Sequence, residues 1–525
     1  MARYGPSALG LRIGKFGLYL AAFMAVVDIS VVYLALPAIG KSLGAGIADQ
    51  QWIVNIYALM EGGFTLASGT LGDLYGRKRV FVGGVALFVA GAVGSALAMT
   101  PTVLIVARLV QGIGGAVLLS LSLALLTGML ADPKEDDDAV RTFSMTAGLG
   151  AVAGVVLGGV LVQFLGWRSI FAMSALFGAL VLPLTLRYVP ETARNLAQPV
   201  DVAGQLLSVL AFVALSFALI EGNARGWTSP TILGIGLTGV VCLVAFAVVE
   251  QRSSHPMLRL EYLRNRTFVA SLLGIAINNY GWYGSMLLAT LFLQNVLRDP
   301  AFIAALYMMP CNIGFVLFTR YNGSVVHRLG TQGTIIVGSA LEIIALLTFA
   351  VMSPLSPSVA VGAALFLCGI GCAFIYPPAT ALGMRSVAMA DEGLASGMIN
   401  LSRALGGVFA VAFLGALLSG TLASNITTAL VPLNLPASVV HRVASATHHG
   451  SAWALLAAPP PGVSAAVLRP AVDAAFTSGM HVAAIGGAAF AIMLTVLFAL
   501  ASPRRRLRAA VKATTLGSPA HGPAA

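Results

Sequence analysis

Long apolar stretches separated by short polar connections recur along the whole chain. Each is long enough to cross a bilayer as a helix, since a span needs about 20 residues. The stretches are continuous rather than alternating, which excludes a membrane β-barrel. The pattern predicts an all-α polytopic membrane protein with 14 transmembrane helices, over residues 16–37, 52–71, 79–99, 101–130, 140–164, 168–189, 201–220, 231–250, 267–293, 300–326, 333–352, 357–382, 393–422 and 479–502.

The composition supports a membrane location. Hydrophobic residues make up 58 % of the 525 residues and charged residues only 9 %, against roughly 25 % charged in an ordinary soluble domain. A soluble protein of this size would lack the polar residues to cover its surface. The net charge of +11 would indicate nucleic acid in a soluble protein. In a membrane protein the positive charge first reflects which loops face the cytoplasm, and we expect no nucleic-acid partner.

Basic clusters define the orientation, because Lys and Arg favour cytoplasmic loops. Residues 77–79, 252–266 and 504–506 all fall on the cytoplasmic side if the N-terminus is inside. The first apolar run resembles a signal peptide, but it continues through Asp28 to Pro37 and is expected to remain as an uncleaved span. We therefore expect a multi-pass protein of the cell (inner) membrane, embedded in its lipid bilayer, with both termini cytoplasmic.

An internal repeat divides the chain. Gly69 and Gly76 lie seven residues apart between the second and third spans, and Gly323 and Gly330 are spaced identically after the tenth. Parallel repeats of this kind build two like-oriented halves. The predicted organisation is a cytoplasmic N-terminus (1–15), an N-terminal six-helix half (16–189), an inserted helix pair with cytoplasmic linkers (190–266), a C-terminal six-helix half (267–502) with a long external loop (423–478), and a basic cytoplasmic tail (503–525).

Several motifs carry a family resemblance. The loop from Gly69 to Arg79 resembles the signature loop of the major facilitator superfamily, and residues 108–116 resemble the conserved arginine motif of that family. Residues 27–37 resemble the first-span motif of its fourteen-helix drug:proton antiporter branch, and there are further matches at residues 52–57, 371–378 and 400–407. In the antiporter motif of the fifth span, Val155 replaces the usual Pro, whereas the glycines are present: Gly150, Gly154, Gly158 and Gly159. The resemblance implies a major facilitator fold with a central cavity that faces each side alternately.

Charged residues within spans indicate function, because lipid excludes them. Asp28, Glu61 and Glu342 lie near the middle of the first, second and eleventh spans. A carboxyl group in a low-dielectric cavity can take up and release a proton as its surroundings change. We predict a proton-coupling role for these three residues and, by resemblance, for Arg108. The alternative is hydrogen-bonded packing residues, with Arg108 bound to backbone carbonyls.

The resemblance also suggests a substrate site. Family members often carry an acid where Asn55 stands, and that acid recognises cations. Aromatic residues can stack on cations, so the predicted substrate cavity comprises Asn55, Tyr57, Trp282 and Tyr283. Ordinary bundle packing is the alternative for the three aromatic residues.

Two further groups receive expected roles. Asn400 and Arg403 are expected to hold the helices of the second half together. Gly69, Asp73, Gly76 and Arg77 are expected to form a cytoplasmic gate. In this gate the Asp73 carboxylate would interact favourably with the dipole at a helix N-terminus. Arg77 would pair with Asp73 across a cytoplasmic seam, and Gly76 would supply a turn.

Other motifs favour simpler interpretations. Cys368 and Cys372 are one helical turn apart, with no further ligand positioned for zinc in the sequence, so they predict core packing rather than a metal site. The acidic run 132–138 is expected to be a solvated connector, and His448 and His449 part of a solvated loop. No nucleophile, base and orienting group cluster outside the spans as a hydrolase requires, so we expect no enzyme activity.

The sequence therefore predicts a proton-coupled efflux transporter for amphiphilic or cationic small molecules. No cofactor is expected, since the proton gradient supplies the energy. Alternatives are a dedicated exporter of one endogenous metabolite, antibiotic or siderophore, and a membrane receptor or scaffold that does not transport. The intramembrane acids argue against the last. The sequence leaves open whether a periplasmic adaptor binds.

Overall fold

A computed structural model describes residues 8–129, 133–191, 201–253, 259–388, 392–433, 435–448, 456, 459 and 463–502. Helices dominate this part of the chain: α1 (Ala8–Leu43), α2 (Ile47–Tyr75), α3 (Arg77–Ala96), α4 (Pro101–Thr127), α5 (Pro133–Leu165), α6 (Arg168–Tyr188), α7 (Val202–Arg225), α8 (Pro230–Arg252), α9 (Arg266–Leu291), α10 (Ala301–Thr319), α11 (Asn322–Phe349), α12 (Ser358–Met384), α13 (Glu392–Leu430), α14 (Ala437–His448) and α15 (Ala465–Ala501).

Twelve helices of the described residues are long and apolar enough to cross a membrane. The two remaining long helices, α2 and α9, fall outside that set and line the interior of the bundle. Glu61 and Asn55 of α2 are buried, as are Asn278 and Asn279 of α9. The polar residues that lower the hydropathy of these two helices therefore face other helices, where they can be hydrogen-bonded.

Local sequence signals explain where the helices begin. Thr100 precedes Pro101 and its hydroxyl accepts the N–H of Val103 at 3.3 Å, and Ser229 caps α8 in the same way ahead of Pro230. Asp201 caps α7 by accepting from the N–H of Gly204 at 2.8 Å. Side-chain oxygens satisfy the free N–H groups of the first turn, and proline at the first helical position needs no N–H partner.

The helices pack as two bundles and a flanking pair. In the N-terminal bundle α1 packs on α5 and α6, and α4 packs on α2 and α3. In the C-terminal bundle α12 packs on α9, α10 and α11, and α13 packs on α9 and α15. Gly76 and Gly330 both have positive φ, 102° and 73°. The second glycine of each predicted repeat thus supplies the same kind of backbone break, which confirms the turn expected at Gly76.

The two bundles meet at one end of the molecule. We call the end where α2 joins α3 the signature-loop end, and the other the opposite end. Near the opposite end Thr290 Oγ1 donates to Tyr33 O at 3.2 Å, and Gln294 Nε2 donates to Leu34 O at 3.0 Å. Gln163 Oε1 accepts from the N–H of Ala301 at 3.1 Å. Together with the contacts of α2 on α13 and α5 on α10, these bonds close the opposite end.

Helix α7 lies against both bundles. Gln205 Nε2 donates to Gly63 O on α2 at 2.8 Å, and Trp52 Nε1 of α2 donates to Glu221 on α7 at 3.2 Å. On the other side of the seam, Asn223 Nδ2 of α7 donates to Ala416 O on α13. The inserted pair is therefore attached to both halves through α7.

The structure corrects several predicted boundaries. The predicted connection 423–478 is largely helical, because α13 continues to Leu430, α14 lies inside it and α15 begins at Ala465. Ile426, Leu430 and Val443 are buried in one core. This burial stabilises helices in a segment whose small polar residues predicted a loop. Residues 133–138 belong to α5 rather than to a connector. The predicted tenth span, 300–326, ends at Thr319.

Some predictions fall on residues that the structure does not describe. Residues 1–7, 503–525, Asp132 and His449 lie outside the described part of the chain, as do residues 192–200 and 254–258 of the predicted linkers and 450–455, 457–458 and 460–462 of the predicted external loop.

Candidate functional site

Asp28 lies at the centre of the N-terminal bundle, fully buried. Arg108 Nη1 forms a salt bridge with its Oδ2. Gln111 Nε2 and Ser174 Oγ each donate to Oδ1 at 2.8 Å. The carboxylate of α1 therefore receives three donors from α4 and α6, which compensates for its removal from water.

Arg108 is held as tightly as its partner, with 1 % of the residue exposed. Its Nη1 also donates to Gln111 Oε1 at 3.0 Å, and its Nε donates to Ile53 O at 3.3 Å. The guanidinium lies 4.1 Å from the centre of the Tyr57 ring, a cation–π contact. Tyr57 therefore packs under Arg108 in the N-terminal bundle, on α2.

Glu61 makes the second buried ion pair. Its Oε1 accepts from Arg403 Nη2 at 2.6 Å, so a carboxylate of the first half binds an arginine of the second. Arg403 therefore joins α13 to α2, a contact that the sequence does not predict, and within its own half it also interacts with Tyr283 of α9. Asn400 Nδ2 donates to Ser396 O at 3.0 Å within its own helix. Arg403 lies three positions after Asn400, but its side chain reaches α2 of the other half because its counter-charge, Glu61, lies there.

A line of hydrogen bonds continues this contact toward the opposite end. Asn55 Nδ2 donates to Val408 O at 3.2 Å. One turn nearer the opposite end, Gln51 Nε2 donates to Val411 O at 2.7 Å and to Ala412 O at 3.0 Å. Asn55, expected in the substrate cavity, thus bonds α2 to α13 in this conformation.

Aromatic residues surround the Glu61–Arg403 pair. The ring of Tyr283 stacks on that of Tyr33, with centroids 5.8 Å apart and planes inclined at 22°, and its hydroxyl interacts with Arg403. Gly407 makes room for this ring, since a Cβ there would lie 2.5 Å from Tyr283 Cδ2. Trp282 packs edge-on against Phe315 at 6.2 Å. Of the predicted aromatic residues, Tyr283 therefore lies at the ion pair and Trp282 in the C-terminal bundle.

The predicted gate residues join elements of the N-terminal half. Arg77 Nε donates to Asp73 Oδ1 at 2.8 Å and Nη1 donates to Ala124 O on α4 at 3.3 Å. Asp73 lies in the last turn of α2, so it is not the N-terminal carboxylate that the sequence predicts. Glu191 has that role, since its Oε1 accepts from the N–H of Lys78 in the first turn of α3 at 3.0 Å.

Close approach explains the glycines of this region. A Cβ at Gly76 would lie 2.8 Å from Glu191 Oε1, whereas Gly69 faces Ser120 at 3.8 Å in ordinary contact. The positive φ and the short distance both require glycine at position 76.

The glycines of α5 lie against neighbouring helices. A Cβ would approach Phe23 O to 2.8 Å at Gly150, Val27 O to 3.0 Å at Gly154, and Val31 Cγ2 to 2.9 Å at Gly158. These three glycines allow α5 to pack closely on α1. Gly159 faces the other bundle, where a Cβ would lie 2.5 Å from Ala305 Cβ of α10.

Glu342 is buried away from both ion pairs. Its Oε1 accepts from Cys372 Sγ at 3.1 Å, and Oε2 has no hydrogen-bond partner. The third predicted coupling residue therefore lies among cysteines of the C-terminal bundle.

Sequence reasoning missed two residues of the Asp28 site. Gln111 belongs to the motif that begins at Arg108. It lies three positions after Arg108, about one turn along α4, and this spacing is a signal that the two side chains lie on the same face of the helix. Ser174 carries no signal, because a serine in an apolar helix is common and its partner lies 146 residues away.

A membrane transporter fold is also what the comparisons identify. A bacterial homologue of the human lysosomal transporter Spinster matches with a TM-score of 0.63 and 17 % identity, over 94 % of this chain and 97 % of that chain. The POT family transporter PepTSo matches with a TM-score of 0.60 and 14 % identity, over 97 % of this chain and 99 % of that chain. These likenesses show the fold.

The sequence family follows from closer relatives. The family model of the Major Facilitator Superfamily matches residues 18–411. The multidrug resistance protein Stp of Mycobacterium tuberculosis is 36 % identical over 78 % of this chain and 76 % of its own length. The drug efflux pump JefA of the same organism is 32 % identical over 92 % and 95 %. The chain is a multi-pass membrane protein and belongs to the Major Facilitator Superfamily.

Proposed function

We propose that this protein is a drug efflux transporter, which exports amphiphilic or cationic small molecules across the cell membrane in exchange for protons. The family supports transport, and relatives named for multidrug resistance and drug efflux support export of drugs. The observation that carries the exchange is the Glu61–Arg403 ion pair, which joins the two halves at the centre of the molecule.

The proposed topology has fourteen spans, as in the drug:proton antiporter branch. Helices α2 and α9 complete the set, because their polar residues are covered by other helices. Both termini are placed in the cytoplasm by the basic residues of positions 77–79 and 252–266. The signature-loop end is then cytoplasmic and the opposite end external.

With this orientation, the structure corresponds to a state closed toward the outside. The bonds of Gln51, Asn55, Thr290 and Gln294 join the halves on the external side. Transport requires these bonds to break as the halves separate there, which is alternating access about a central site.

Exchange follows from competition for one carboxylate. Ionised Glu61 can bind Arg403, a cationic substrate or a proton, but each of these displaces the others. A substrate cation or a proton at Glu61 frees Arg403 and weakens the closed external end, whereas the empty, ionised transporter keeps it closed. Because Glu61 binds one of these partners at a time, proton uptake from the outside alternates with substrate uptake from the inside, and the empty transporter carries neither across the membrane.

Asp28 and Arg108 supply a second proton site in this proposal. Protonation of Asp28 would release Arg108 from its salt bridge, and Tyr57 links this pair to α2, which carries Glu61. The carboxylates of the two ion pairs, Asp28 and Glu61, thus lie on neighbouring helices of the N-terminal half, α1 and α2. Both pairs depend on ionised carboxylates.

The proton gradient is sufficient for this work. One proton moving inward down 100 mV releases about 2.3 kcal/mol. At about 1.4 kcal/mol per tenfold, this sustains a substrate gradient of roughly fortyfold.

Everted membrane vesicles test the proposal with ethidium as the cationic probe. We expect respiration-driven ethidium uptake in vesicles that contain the protein, its collapse on addition of a protonophore, and its loss in Glu61→Gln. Uptake that persists after the proton gradient is dissipated would overturn the assigned coupling.

Export of one dedicated compound is the second candidate. Relatives named for a single antibiotic favour it, such as the puromycin resistance protein of Streptomyces alboniger, 30 % identical over 77 % of this chain and 81 % of its own length. A growth-inhibition panel in a strain without its own exporters separates the two. Protection against structurally unrelated cations supports the broad exporter, and protection against one compound class supports the dedicated one.

A further inference from the structure

Three cysteines and a glutamate of three helices come together in the C-terminal bundle. Cys311 lies on α10, Glu342 on α11, and Cys368 and Cys372 on α12. All four residues are buried, with exposures of 1 % or less. Cys368 and Cys372 alone predict only packing, and the structure adds Cys311 and Glu342, which the sequence separates from them by at least 26 positions.

The ligand atoms are close to a coordination geometry. The thiol sulfurs of Cys368 and Cys372 and a carboxylate oxygen of Glu342 all lie within 4.8 Å of one another. The thiols of Cys311 and Cys368 interact directly. Zn–S bonds of about 2.3 Å and Zn–O bonds of about 2.1 Å place the ligands of a tetrahedral zinc roughly 3.5 Å apart. Small side-chain rotations therefore suffice to enclose a cation.

The carboxylate has a free ligand position. Cys372 Sγ donates to Oε1 of Glu342 at 3.1 Å, and Oε2 has no hydrogen-bond partner although Glu342 is 1 % exposed. Gly281 of α9 and Gly371 of α12 provide the space for this side chain, because a Cβ at Gly281 would contact Oε2 and one at Gly371 would lie 2.8 Å from Glu342 Cγ. An unsatisfied buried oxygen of this kind is costly unless something binds it.

The donor set identifies the class of ligand. Thiolates favour soft or borderline cations such as Zn²⁺ over Mg²⁺ and Ca²⁺, which prefer oxygen ligands.

We propose that Glu342, Cys368 and Cys372, with Cys311 as the fourth ligand, form a binding site for a thiophilic divalent cation within the C-terminal bundle. The site fastens α10, α11 and α12 to one another. The site is distinct from the two ion pairs and requires no transport activity, so it can be tested independently of the proposed efflux.

Zinc binding to the purified full-length protein in detergent tests the site. The protein is stripped of metal, given one equivalent of Zn²⁺, desalted, and its zinc content measured. We expect about one zinc per chain in the wild type and loss of that zinc in Cys368→Ser and Cys372→Ser. Cys242→Ser is the matched control, because Cys242 lies on α8, outside the cluster, and this variant is expected to keep its zinc. Equal zinc in all four proteins, or none in the wild type, would overturn the proposal.

Two measurements guard against a misfolded variant. Glu342→Gln keeps the shape of the side chain and is expected to bind Zn²⁺ more weakly than the wild type, in competition with a chromophoric chelator. Cd²⁺ added to the wild type reports sulfur ligation through thiolate-to-metal charge-transfer absorption, without any substitution. A wild type that binds Cd²⁺ without this absorption would refute thiolate ligation.

Discussion

Replacement of Glu61 by Gln perturbs the contact on which the proposed exchange depends. Glu61 and Arg403 are joined at 2.6 Å, and their side chains are 3 % and 18 % exposed. The Glu61→Gln substitution keeps the size of the side chain but removes its charge, so Arg403 loses its counter-ion in the closed conformation. We expect the external end to open more often.

The magnitude follows from burial. Breaking a fully buried ion pair costs about 3–5 kcal/mol, and the partial exposure of Arg403 lowers this to about 2 kcal/mol. At about 1.4 kcal/mol per tenfold, the ratio of open to closed molecules rises roughly thirtyfold. The bonds of Gln51 and Asn55 are unaffected, and at about 0.5–1.5 kcal/mol each they keep part of the population closed.

Spin-label distances measure the opening. Met99 and Leu355 are exposed by 76 % and 95 % on connections of the two halves at the opposite end, which is external in the proposed orientation. Labels on Met99→Cys and Leu355→Cys, in a Cys242→Ser background, report their separation. We expect Glu61→Gln to increase the population at longer distances.

A carboxylate nearer the opposite end provides the control. Glu221 of α7 bonds Trp52 of α2 and does not join the two halves through this contact. Glu221→Gln is therefore expected to leave the distance distribution close to that of the wild type. The reasoning is refuted if Glu61→Gln matches the wild type, or if both variants open equally.

Three further substitutions test the packing around the sites. Asp28→Asn leaves Arg108 buried without a counter-charge and is expected to destabilise the protein by about 3–5 kcal/mol. The double variant with Arg108→Gln should recover part of the lost stability, and thermal unfolding in detergent measures both effects. Gly159→Ala forces α5 from α10, so the same spin labels should separate, whereas Gly148→Ala, with nothing within 4 Å of the added Cβ, should not change them. Gly76→Ala strains a positive φ and should lower stability by about 1–3 kcal/mol in the same unfolding assay.

The sequence predicted the helices well because hydropathy depends on local composition. Most long helices lie within a few residues of the predicted spans, and the repeated glycines marked both backbone breaks. The connection before α15 was missed, since its helices are stabilised by burial of residues such as Val443 that periodicity alone does not reveal. Whether such segments form helices depends on long-range packing.

Pairing of side chains was harder to predict. The Asp28–Arg108 pair was accessible, because both residues are charged within spans of one half. The contact of Arg403 with Glu61 was not predicted, because it depends on the rotation of α2 and α13 about their axes. Cys311 and Glu342 were not connected with Cys368 for the same reason. Helix rotation is set by tertiary contacts that one sequence does not encode in its periodicity.

Proton flux coupled to substrate movement tests the central claim most directly. Purified protein is reconstituted in liposomes with a pH-sensitive dye inside and an acidic interior, and the most strongly exported compound of the growth panel is added outside. The account predicts that substrate entry alkalinises the interior, that accumulation requires the pH gradient, and that Glu61→Gln abolishes the proton signal. Accumulation at the same level without a gradient, or with no alkalinisation, would contradict it.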